Sequence, residues 1–100
     1  MDNFSFDAAD GRMIIKASGK IDSANAGEFE KGFFDAMEGK TITSVLMDAA
    51  ELEYLSSAGL RGVFSIKDAI DDFSIINVSD ALYDIFDVTG FTKMIDIKKA

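Results

Sequence analysis

One hundred residues, 48% of them apolar and 28% charged, suffice for one compact domain with a single core and are too few for two. The formal charge of −8 disfavours nucleic acid and anionic membrane as partners, because both attract clustered Lys and Arg. Neither His nor Cys occurs, which removes Ser-His-Asp and Cys-His nucleophile pairs, disulfides and the commonest metal ligand.

In chain order, Phe4-Ser5-Phe6-Asp7 alternates and predicts an edge strand. Asp10-Gly11 reads as a tight hairpin turn, and Met13 to Ala17 as the returning strand. Ser18 to Asp22 leads into a helix whose start is marked by Asn25 with Glu28 three residues on, the spacing of a capping box. Phe29, Phe33 and Met37, with Ala36 beside them, give that helix one apolar face, and Glu38-Gly39-Lys40 ends it. Ile42 to Asp48 is the next strand, its continuous Val45-Leu46-Met47 suggesting a central position. After Ser56-Ser57 a second helix places Gly59, Val63, Ile66 and Ile70 on one side, and Asp71-Asp72 breaks it. Phe73 to Val78 is another strand. Ser79 caps a third helix carrying Leu82, Ile85, Phe86 and Thr89, Gly90 supplies its left-handed end, and Met94 to Ile97 is a last short strand. The order β-β-α-β-α-β-α-β argues for an α/β fold: a mixed, mostly parallel sheet whose parallel strands are joined by helices.

Three segments carry a resemblance to the STAS family, and within it to bacterial anti-sigma factor antagonists. Gly19-Lys20-Ile21-Asp22 is similar to the family's Gly-x-Leu/Ile-Asp ahead of the first helix. Asp48 through Arg61 resembles its strand-end Asp followed by Tyr-Leu/Met-Asp/Ser-Ser-x-Gly-Leu. Asn77-Val78-Ser79 with Val88-Thr89-Gly90-Phe91 is similar to the Asn-Val-Ser and Thr-Gly-Phe/Leu pair around the third helix. The match covers nearly the whole chain and implies one STAS domain over residues 1–100, with helices packed mainly on one face of the sheet. Two departures stand out. The stretch from Leu60 to Asn77 is about a turn shorter than usual, and no C-terminal helix follows Ile97.

The resemblance implies a non-enzymatic binding module controlled by phosphorylation. The modified serine of such proteins lies two residues before the Gly of Gly-Leu, which is Ser57 here; Ser56, in the place where many members have Asp, is the alternative. The expected partner surface comprises Asp22, Ser56, Ser57, Ala58, Gly59 and Arg61. The expected partners are an anti-sigma factor with GHKL-type serine-kinase activity and a PP2C-type phosphatase, with ATP and Mg belonging to the kinase. The chain itself is expected to hold no cofactor and no metal. The alternative is an unphosphorylated STAS assembly subunit of a transporter or signalling scaffold, which the shortened second helix and the missing C-terminal helix favour. A flank left by the missing last helix is a candidate face for a homodimer.

The residues also have plainer readings. Ser57 serves equally as a helix N-cap, worth about 1 kcal/mol. A phosphate there adds about −1.5 to −2 charges at a helix N-terminus that tolerates anions, near Asp22 and Asp48. Asp22 is also a turn residue, Asp48 reads as structural, and Arg61 is either a solvated helix residue or a ligand for the phosphate. Phe34 and Phe64 lie off the clearest apolar stripes, as partner anchors or, more simply, second-side core. Without an apolar run of the ~18 residues a bilayer needs, and with Met1-Asp2-Asn3 unlike a signal peptide, the expected location is the cytoplasm.

Overall fold

A computed structural model describes residues 3–100; Met1 and Asp2 lie outside the described residues. The elements in order are β1 (Phe4–Ala9), β2 (Arg12–Ile21), α1 (Ala26–Met37), β3 (Ser44–Leu55), α2 (Ser57–Ala69), β4 (Phe73–Val78), α3 (Asp80–Val88), a 3-10 turn (Phe91–Lys93) and β5 (Asp96–Lys99). The five strands lie in sequence order, β1 antiparallel to β2 and the rest parallel. Three parallel crossovers stepping the same way along a sheet put all three helices on one face, because such connections are right-handed. The strand pattern agrees: Met13, Ile15 and Ala17 of β2 are buried while Arg12, Ile14 and Lys16 are exposed.

The core lies between that face and the helices. Phe29 and Phe33 of α1, Val63 and Ile66 of α2, and Leu82 and Phe86 of α3 bury fully against Met13, Ile15, Met47 and Ile75. Each such side chain contributes about 1.5–3 kcal/mol of burial. Between α1 and α2 the fit is close: Gly62 lies against Phe29, and the Ser65 hydroxyl donates to Glu30 Oε1 at 2.9 Å.

Several strand boundaries differ from the sequence reading: β1 runs on to Ala9, and β3 starts at Ser44, two residues after Ile42. β2 runs on through Ser18-Gly19-Lys20 to Ile21, and β3 runs past Asp48 to Leu55. Their pairing there carries two register shifts, between Lys16 and Ser18 and between Gly19 and Lys20, so the alternation that marks a strand is lost while the strand continues. β5 begins at Asp96 instead of Met94, because the 3-10 turn intervenes. The capping box at Asn25 does not form: its side chain makes no cap bond, and turns back to the preceding loop instead. Among the described residues no helix is long and apolar enough to cross a membrane.

Candidate functional site

The carboxyl ends of β2 and β3 lie side by side, with Ile21 opposite Leu55. From these ends the chain leaves into two loops, one leading to α1 and one to α2. The Ser56 N–H donates to the Ile21 carbonyl at 3.0 Å, tying the second loop to the end of β2. Gly59 makes this approach possible. A Cβ there would collide with the Ile21 carbonyl oxygen and press on Leu55, so only glycine seats the first turn of α2 so closely on β2. Asp22, Ser56 and Ser57 are thereby gathered at one rim of the sheet, the usual position for binding sites in open α/β folds.

The two serines have separate duties. Ser56 is the N-cap of α2: it is half-buried, and its Oγ accepts from the Gly59 N–H at 3.3 Å. Ser57, expected as a possible cap, instead opens the helix as its first residue and is exposed, so its hydroxyl has no capping role. This also accounts for Ser56 standing where many family members have Asp, since both side chains accept the same bond at an N-cap. The first backbone N–H groups of α2 have no intrahelical partner, which leaves a partial positive charge beside the Ser57 hydroxyl. Arg61, one turn further on, is exposed, with no acidic side chain in ion-pair distance among the described residues.

Asp22 shapes the neighbouring loop. Its Oδ1 accepts from the Ala24 N–H at 2.9 Å, and its own N–H donates to Asn25 Oδ1 at 2.9 Å. Asn25 Nδ2 in turn donates to the Lys20 carbonyl at 2.8 Å, which explains why Asn25 is unavailable to cap α1. Asp22 remains partly exposed beside Ser56.

Asp48 does not belong to this site. It lies in mid-β3, seven residues before Leu55, or roughly 20 Å along the strand. Its Oδ1 accepts from Asn77 Nδ2 at 3.0 Å and from the Ala50 N–H at 3.0 Å. The Asn77 amide first, then the Ala50 N–H and the nearby Lys16 charge, hold its carboxyl below the usual carboxylate range. Asn77 is itself in the left-handed region at φ 60°, where β4 shifts its register with β5, and the bond ties this irregular end of β4 to β3.

Two aromatic side chains near the site escaped or defied the sequence reading. Phe64, for which core packing was the simpler account, is 45% exposed and lies two turns along α2 from Ser57. Tyr54, 44% exposed beside Lys20, was not singled out, because the irregular end of β3 hides which of its residues face outward. Phe34 of α1 is likewise exposed, its ring resting on Phe33 at 4.9 Å. No group of three acidic side chains fit to hold a metal occurs among the described residues.

The family model of the STAS domain matches residues 3–100. The chain belongs to the STAS family. Among similar proteins, the candidate anti-sigma factor antagonist BtrV of Bordetella bronchiseptica is 27% identical over 97 residues, covering 93% of this STAS chain and 83% of BtrV. An anti-sigma factor antagonist from Mycobacterium paratuberculosis superimposes with a TM-score of 0.81 at 20% identity, over 97% of this chain and 85% of its own. The antagonist SpoIIAA in its unphosphorylated form gives 0.79 at 14% identity, over 94% and 86%. The phosphorylated form of Bacillus SpoIIAA gives 0.70 at 14% identity, over 94% and 89%. At these identities the solved structures establish the shared STAS fold.

Proposed function

We propose that this STAS domain is a non-catalytic, phosphorylation-controlled binding module of the anti-sigma factor antagonist type. The observation that carries the reading is the division of labour between the serines: Ser56 caps α2, which leaves the Ser57 hydroxyl exposed at the helix start and free of structural work. Unmodified, the rim formed by Asp22, Ser56, Ser57, Ala58 and Arg61, seated by the buried Gly59, docks on an anti-sigma factor with GHKL-type serine-kinase activity. That kinase supplies ATP and Mg. The Ser57 oxygen takes the γ-phosphoryl group, ADP leaves, and the hydroxyl proton passes to a base of the kinase. A PP2C-type phosphatase then hydrolyses the ester and resets the module.

The switch follows from charge. Phosphate adds about −1.5 to −2 at the α2 N-terminus, where the free N–H groups accommodate it, so the fold persists. At the interface the same dianion must be desolvated beside Asp22, and a loss of about 3 kcal/mol weakens binding more than a hundredfold. Relatives of antagonist type, one of them solved in a phosphorylated form, support the reading.

The test is intact-mass measurement after incubation with such a kinase, ATP and Mg. Wild type and Ser56→Ala should gain one phosphate, and Ser57→Ala none. A phosphate that survives Ser57→Ala and disappears with Ser56→Ala would move the site by one residue. No gain in wild type would favour the unphosphorylated assembly role.

A further inference from the structure

The winding that puts every helix on one face leaves the other face of the sheet bare: among the described residues no helix or strand covers it. Parallel sheets are ordinarily covered on both faces, so an open one calls for an explanation. Across its middle lie Ile14, 42% exposed, its neighbour Leu46, and Ile76, both half-buried. Around this apolar strip stand Asp7, Asp48 and Asp96 together with Arg12, Lys16 and Lys98, with Glu51 beside Lys16 and Asp72 beside Arg12 at its edges. The open face therefore mixes both signs with a small acidic excess, and most of the chain's −8 lies elsewhere.

We infer that this face is where a second copy of the chain docks, sheet against sheet, leaving both Ser57 sites at the rim free. Charge selects the occupant. Copies meeting through their helices bring two more strongly acidic surfaces together, whereas a surface of interspersed signs around an apolar centre is complementary to itself. An apolar middle with a charged border is also the usual anatomy of an interface. Five strands about 4.8 Å apart, with about five residues each at ~3.3 Å, make a face of roughly 24 by 17 Å. Two copies then cover on the order of 800–900 Å², the size of weak, reversible pairs. The face arises from one-sided crossovers and needs no missing helix to expose it.

Sedimentation equilibrium over a concentration series tests the inference. The full chain should rise reversibly from 10.9 kDa towards twice that mass. Ile14→Lys should weaken the dimer by about tenfold or more, equivalent to about 1.4 kcal/mol. Phe64→Lys, on the helix side, should leave it unchanged, and so should Ser57→Asp. Far-UV circular dichroism checks that the variants fold; if Ile14→Lys does not, Ile76→Thr keeps a strand-compatible side chain and serves in its place. A monomer at every concentration overturns the inference, as does a dimer indifferent to the open-face variant or one dispersed by Phe64→Lys. A wild type that stays monomeric while Ile14→Lys loses the kinase would assign the face to that partner instead.

Discussion

Helices α2 and α3 begin in the same way and are used differently. Each is capped by a serine whose Oγ accepts from the N–H three residues on: Ser56 from Gly59 at 3.3 Å, Ser79 from Leu82 at 3.2 Å. After the cap they diverge. α3 carries Asp80 as its first residue, a permanent anion at a helix N-terminus with Lys99 Nζ at 3.4 Å. α2 carries neutral Ser57 there, with Arg61 one turn away. At the third position α3 has the fully buried Leu82, while α2 has Gly59 pressed on the Ile21 carbonyl. The cap is thus common helix chemistry and marks no function by itself. What sets α2 apart is a hydroxyl where α3 has a fixed charge, on a turn pulled tightly against the neighbouring strand. α3 also shows that this fold bears a negative charge at such a position.

The largest effect should come from writing the α3 start into α2. Ser57→Asp gives the sequence Ser-Asp seen at Ser79-Asp80 and should hold or slightly raise stability, since an anion at a helix start contributes about 0.3–1 kcal/mol. Binding to the kinase partner should nevertheless fall about a hundredfold or more, measurable by isothermal titration calorimetry. Unchanged affinity would remove charge as the basis of the switch. The second contrast, at the third position, is tested by Gly59→Ala. The added methyl must push α2 off β2, at about 1–3 kcal/mol, and partner binding should weaken with it because the rim moves. Full stability in that variant would mean that the close seat of α2 is dispensable.

The caps themselves should be equivalent. Ser56→Ala and Ser79→Ala should each lower stability by about 1 kcal/mol, or about 4–8 °C in Tm, whereas Ser57→Ala should change it by only a few tenths of that. An equal loss at Ser57 would show that its hydroxyl has a structural role after all. The smallest effect concerns the Asp48–Asn77 bond at the end of β4, ahead of α3, the counterpart of the Ser56–Ile21 bond that leads into α2. Asp48 has a depressed pKa in the fold, so its contribution is present above the unfolded value of about 3.9 and is lost as pH falls through the lower folded value. Asp48→Asn should therefore cost on the order of 0.5 kcal/mol at neutral pH, allowing for solvent screening, and the difference from wild type should shrink in acid. Urea midpoints at the two pH values decide it.

The helices were legible because their signals are local. Phe29 and Phe33, Val63 and Ile66, and Leu82 and Phe86 recur at helical spacing and are buried as that spacing requires. Strand ends were less so. The bulges pairing Ser18-Gly19-Lys20 with Glu51 to Tyr54 break the two-residue alternation, and the charges of Glu51 and Glu53 read as a loop. Hence Asp48, taken as a strand end near the site, sits in mid-strand, and exposed Tyr54 was passed over. The caps went astray for a similar reason: Asn25 and Ser57 both satisfy a capping pattern, but Asn25 is claimed by Lys20 and Asp22 from the preceding loop.

By itself the sequence determined the order of elements, the α/β class and the family motifs that gather Asp22, Ser56, Ser57 and Gly59, because periodicity and turn chemistry act over a few residues. Only the tertiary structure decided which serine caps α2, which of Phe34, Phe64 and Tyr54 face outward, and which side chains stand on the uncovered face of the sheet. Each of these depends on what a distant strand or helix brings alongside. The Ile21 carbonyl that meets Ser56 and Gly59 comes from 35 and 38 residues earlier in the chain, beyond the reach of any local pattern.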